Sequence, residues 1–67
     1  MATGQKLRKA LMLRYEAQMA DADARLGVYM TNSVGIGEHP QITDEMDALV
    51  AQYTDAKDKL ETLSQIS

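Results

Sequence analysis

The chemically capable residues crowd into one stretch, GIGEHP at positions 35–40. It holds two glycines, Gly35 and Gly37, the carboxylate Glu38, the only histidine, His39, and the only proline, Pro40. Gly-x-Gly ahead of a helix start suggests an anion cradle, because free N–H groups at a helix N-terminus attract phosphate. Glu38 opposes that use with a like charge, neither a lysine nor a preceding strand completes the pattern, and G-x-G alone is a weak signal. A metal would need ligands beyond His39 and Glu38. Scattered carboxylates in a chain with no cysteine match no ligand spacing. General-base catalysis by His39 lacks a nucleophile or an orienting partner beside it. The stretch reads instead as a chain reversal: Gly35 and Gly37 supply backbone freedom, Val34 and Ile36 turn inward, and Pro40 opens the next helix. No cofactor, no metal and no enzymatic activity is expected.

The segments that this reversal joins are both helical in pattern. From Ile42 onward the apolar positions are Ile42, Met46, Leu49, Tyr53, Ala56, Leu60 and Leu63, spaced alternately by four and three, with Val50 and Ile66 widening the stripe. That heptad seam predicts a helix over about 41–65, of coiled-coil type. Thr43, Asp44 and Glu45 suit the positive end of its macrodipole. Upstream, Met12, Tyr15, Met19, Ala22, Leu26 and Tyr29 form a second seam, which Leu7 and Leu11 extend on a slightly rotated face. It predicts a helix over about 4–31, capped by Thr3 and ended by Asn32 and Ser33. Gly27 marks close packing or fraying in its last turn rather than chemistry.

Folding back at about residue 36 sets Tyr29 against Ile42, Leu26 against Met46, Ala22 against Leu49, Met19 against Tyr53, Tyr15 against Ala56 and Met12 against Leu60. Large faces small in two of these layers, as close packing requires. The expected fold is all-α: one domain, 1–67, an antiparallel αα-hairpin with a loop over about 32–40. Leu7, Leu11, Val28, Val50 and Ile66 lie beside the seam. Each helix therefore keeps an apolar edge in need of cover, and a two-fold dimer forming a four-helix bundle is the simplest closure. At 67 residues with no cysteine, neither a large core nor disulfides are at hand, which also points to association.

Charge and composition narrow the partners. The net charge is −3, with residues 1–32 carrying five cations against three acids and residues 33–67 seven acids against Lys57 and Lys59. Such asymmetry suits two segments lying side by side, and it disfavours nucleic acid, which calls for a strongly basic face. The cluster Lys6, Arg8, Lys9 and Arg14 keeps one alternative open: an RNA-binding hairpin dimer, similar in size and architecture to the plasmid copy-number regulator Rop. No stretch approaches the ~20 apolar residues of a membrane span. The short ALML run is too brief for a secretory signal, so a soluble cytoplasmic protein is expected. Met12, Met19 and Met46 read as gap-filling core more than as a peptide-binding surface. Tyr15, Tyr29 and Tyr53, all on the seams, lack the exposed, basic setting of a base-stacking platform.

Residues 32–63, NSVGIGEHPQITDEMDALVAQYTDAKDKLETL, resemble short helical proteins of tailed bacteriophages, marine ones especially. In those proteins an N-P-V-G-I-G-E-H-P-like connector precedes an acidic and apolar helix ending in D-K-L. Ser33 stands where that pattern has proline, which only relaxes the end of the first helix. The resemblance implies a phage-encoded intracellular protein, without an assigned activity. The expected function is a non-enzymatic interaction protein that self-associates through its apolar stripe and acts as an adaptor for a second protein.

Overall fold

The computed structural model describes residues 2–31 and 41–66. Two helices account for them: α1, Ala2–Thr31, and α2, Gln41–Gln65. Because α1 already begins at Ala2, Thr3 lies inside the first turn and is not the N-cap that the sequence suggests. Gly27 is helical, and a Cβ built there meets nothing within 4 Å, so it does not mark a close approach. Four residues on, the Thr31 hydroxyl donates to the Gly27 carbonyl at 2.8 Å, satisfying an acceptor at the open end of the helix. At the other terminus Ile66 N–H donates to the Leu63 carbonyl at 3.2 Å, the three-residue step that tightens a last helical turn.

The helices pack antiparallel. Tyr29 of α1 bonds Glu45 of α2, Gln52 reaches Gln18 and Asp21, and Arg8 reaches Leu63 and Ile66. Each of these pairs falls within two positions of the register that the facing seams predict. The result is a rod of 53 × 15 × 13 Å with a radius of gyration of 15.7 Å, against about 11 Å for a compact chain of this length.

Along the seam of α2, Leu49 and Ala56 are buried, while Ile42, Met46, Tyr53, Leu60 and Leu63 are half-buried. Among the described residues the fully enclosed side chains are Ala22 and Ala56, both at 0% exposure. Their small size lets the two backbones approach, so that larger neighbours interdigitate around them. On α1 the half-buried residues are Tyr15, Met19, Leu26 and Tyr29, and toward the N-terminus Leu11 and Arg8. Here the structure departs from the expected seam: Leu11 is the inward residue, whereas Met12 is 37% exposed and sits at its edge. Helical geometry explains the shift. An α-helix drifts about 20° per heptad against a strict seven-residue repeat, so Leu26, Met19 and Met12 step progressively off the contact line. Leu7 is farther out still, 67% exposed, with Arg8 holding the inward place instead.

Candidate functional site

Surface, not cavity, is what this rod offers. Among the described residues, Leu7, Met12, Leu13, Val28, Met30, Val50 and Ile66 are large apolar side chains left exposed. Among the described residues no polar side chain is buried, and none of the enclosed side-chain nitrogen or oxygen atoms lacks a partner. Gln52, on the shoulder of the α2 seam, donates through Nε2 to the Gln18 carbonyl at 2.8 Å and to Asp21 Oδ2 at 3.1 Å. The Arg25 guanidinium donates through Nε to the other oxygen of the same carboxylate at 3.0 Å. Nearer the connection, the Tyr29 hydroxyl donates to Glu45 Oε2 at 2.5 Å. Lys59 and Asp55 pair at 2.8 Å on the outer part of α2. The cross-helix bonds of Gln52 and Tyr29 lie on one flank of the hairpin, which is thereby polar.

The electrostatics follow from these bonds. The Asp21 carboxyl is held below its ordinary value of 3.8, first by the Gln52 amide and then by the Arg25 charge, with partial desolvation opposing. The Tyr29 phenol is raised above 10.0, because its proton is shared with the Glu45 carboxylate. Lys59 is likewise raised, by Asp55. None of these shifts creates an acid or base tuned toward neutrality, and all three groups are solvent-accessible.

Two open grooves run along the polar flank. The larger, about 620 Å³, lies between Arg25, Val28 and Tyr29 on α1 and Glu45, Ala48 and Gln52 on α2. The smaller, about 280 Å³, is bounded by Leu11, Tyr15, Lys59, Thr62, Leu63 and Ile66. Both are furrows between parallel rods rather than enclosed pockets, and neither brings a nucleophile to a base. Among the described residues, no three His, Cys, Asp or Glu side chains lie close enough to hold a metal ion, and no helix is long and apolar enough to cross a membrane.

The structure thus gathers Tyr15, Met19, Ala22, Leu26, Tyr29, Ile42, Met46, Leu49, Tyr53, Ala56, Leu60 and Leu63 into one contact line, with Leu11 joining them. Val50, 48% exposed, stands beside it, as do Met12 and, fully outside, Leu7. Gly35, Gly37, Glu38, His39 and Pro40 lie outside the described residues. Four polar side chains that bond across the helices are not evident from apolar periodicity: Arg8, Asp21, Glu45 and Gln52. Arg8 donates through Nη2 to the Leu63 carbonyl and, at 2.5 Å, to that of Ile66. A cation beside the last carbonyls of a helix is favourable both as donor and against the macrodipole. Sequence reading places Arg8 in a basic surface cluster, since the helix it caps is the other one. The available signal is position alone: Arg8 precedes Tyr15 by one heptad on the same face.

No family model matches this chain, and comparison with curated proteins and with solved structures finds no match either.

Proposed function

We propose that this protein is a non-enzymatic interaction module, a helical hairpin that completes its fold by pairing with a second copy into a four-helix bundle and presents the remaining surface to another protein. The observation that carries the reading is the thinness of the core: Ala22, Leu49 and Ala56 are buried, against seven large apolar side chains left exposed among the described residues. The surface area supports it. The chain exposes 5304 Å², about 1,100 Å² more than the roughly 4,200 Å² expected of a compact protein of its mass. A standard protein interface removes about 800 Å² from each partner. The likeness of residues 32–63 to phage proteins extends the proposal to a phage-encoded adaptor working in the host cytoplasm.

The Rop-like alternative is less well supported. It draws on Lys6, Arg8, Lys9 and Arg14, yet Arg8 is engaged by the carbonyls of Leu63 and Ile66. At 100° per residue, Lys6, Lys9 and Arg14 then fan over about 140° of α1 instead of lining one stripe.

Sedimentation equilibrium at micromolar concentration, with circular dichroism on the same samples, tests the reading. The expected result is a helical species of twice the 7.4 kDa chain mass. A fully helical monomer at that concentration refutes it.

A further inference from the structure

The two flanks of the hairpin differ chemically, and the difference identifies the side on which a second copy docks. Taking 100° per residue from Ala22 on α1 and from Ala56 on α2, Gln18, Asp21 and Arg25 fall to one side of the seam on α1, and Gln52, Asp55 and Lys59 to the corresponding side on α2. The Gln52–Asp21 bond at 3.1 Å confirms that these two sides adjoin. On the opposite side, Met12, Met19 and Met30 lie within about 20° of one another on α1, and Met46, Val50 and Tyr53 follow the equivalent line on α2. None of the cross-helix side-chain bonds involves these six residues.

We infer that this methionine flank is the surface through which two copies of the chain associate, leaving the Asp21–Gln52 flank and its grooves free. The inference rests on the self-association proposed above and specifies its geometry. Three observations carry it. The flank carries charges of both signs, Glu16 and Asp23 on α1 and Lys57 on α2, so two copies that lay α1 of one against α2 of the other set acids against a lysine. Its area suffices: a face 53 Å long and 15 Å wide covers roughly 800 Å², the share that each partner of a standard interface contributes. Its side chains adapt, since unbranched thioethers fill irregular gaps between surfaces that are not yet packed. The other flank has the same area and a balanced set of charges, but burying it would desolvate the paired Asp21 and Arg25 and the paired Asp55 and Lys59.

Paired variants test the inference. Met12→Lys with Val50→Lys places charge on the methionine flank at exposed positions, so the hairpin seam is untouched. Leu7→Lys with Val28→Lys does the same on the polar flank. In sedimentation equilibrium, with helicity checked by circular dichroism, the first pair is expected to weaken self-association by on the order of a hundredfold, from the loss of buried apolar area, and the second by less than about threefold. Equal effects, or the reverse order, overturn the assignment while leaving self-association standing. A monomeric wild-type chain defeats self-association itself. Should the first pair lose helicity, single-site labelling decides, because the chain has no cysteine of its own. Val50→Cys is expected to react with a maleimide about tenfold more slowly in the dimer than after dilution, and Val28→Cys at an unchanged rate. Protection at 28, or none at 50 in a proven dimer, overturns the assignment.

Discussion

Replacing Arg8 isolates a contact that ties the ends of the hairpin together. Arg8→Met keeps the unbranched stem, and with it the half-buried packing, while removing the guanidinium that bridges the Leu63 and Ile66 carbonyls. A hydrogen bond from a charged donor is worth about 1.5–3 kcal/mol when buried. Here one bond is part-buried and the other exposed, which reduces the pair to about 1 kcal/mol. Removing a cation from the C-terminal end of α2 adds about 0.3–1 kcal/mol. The expected cost is therefore about 1–2 kcal/mol, or a fall in Tm of roughly 5–12 °C for a domain of this size. Thermal melts followed by circular dichroism should be compared at one fixed protein concentration, because association makes Tm concentration-dependent. Both carbonyls accept from the single Nη2 nitrogen, so Arg8→Lys is expected to recover part of the loss, limited by a stem one bond shorter than the arm that carries Nη2. A melting point for Arg8→Met within 1 °C of wild type, at about 0.15 M ionic strength, refutes the account of Arg8 as a clasp.

Gly27→Ala adds a methyl group where nothing lies within 4 Å, so it is expected to stabilise the fold by about 0.5–1 kcal/mol, read as a higher urea midpoint. Ala56→Leu places a branched side chain at a fully enclosed site on the contact line, so overpacking should cost about 1–3 kcal/mol in the same assay. The depressed Asp21 carboxyl sets a pH dependence. Its stabilising effect is fully present above the ordinary value of 3.8 and is lost as pH falls through the lower folded value. Asp21→Asn should therefore be less stable than wild type at pH 6 and converge with it near pH 2 in pH-resolved melts. Tyr29, whose proton is held by Glu45, should ionise above pH 10.0 in ultraviolet titration, and Glu45→Gln should bring it down.

Much of this architecture is legible in the sequence. The unbroken four-three spacing from Ile42 to Leu63 is a direct image of the buried and half-buried line of α2, because a single helix face packed against one partner admits no other pattern. In α1 the same reasoning holds from Tyr15 to Tyr29 and fails toward the N-terminus, where accumulated helical drift brings Leu11 inward in place of Met12. Arg8 and Gln52 were not legible for a different reason. Polar side chains read as solvent-facing by type, and only the facing backbone reveals that one meets helix-end carbonyls and the other a carboxylate. The two flanks illustrate the same limit. Residue type alone places Asp21 and Arg25 on the outside of α1, but their chemical opposition to Met12 and Met30 needs both helices in place.

Every cross-helix bond joins positions mirrored about the connection, so chain separation lengthens steadily along the rod: 16 residues at Tyr29–Glu45, 31 and 34 at Gln52, and 55 and 58 at Arg8. Closing the longest of these loops costs about 1 kcal/mol more entropy than closing the shortest. Loop entropy alone therefore favours closure from the Tyr29–Glu45 end outward, like a zip fastener, with the guanidinium clasp the last tooth to engage. The same order in reverse governs fraying. Amide protons near Arg8 and Leu63 are expected to exchange first in hydrogen-exchange measurements, while those around Ala22 and Leu49 persist.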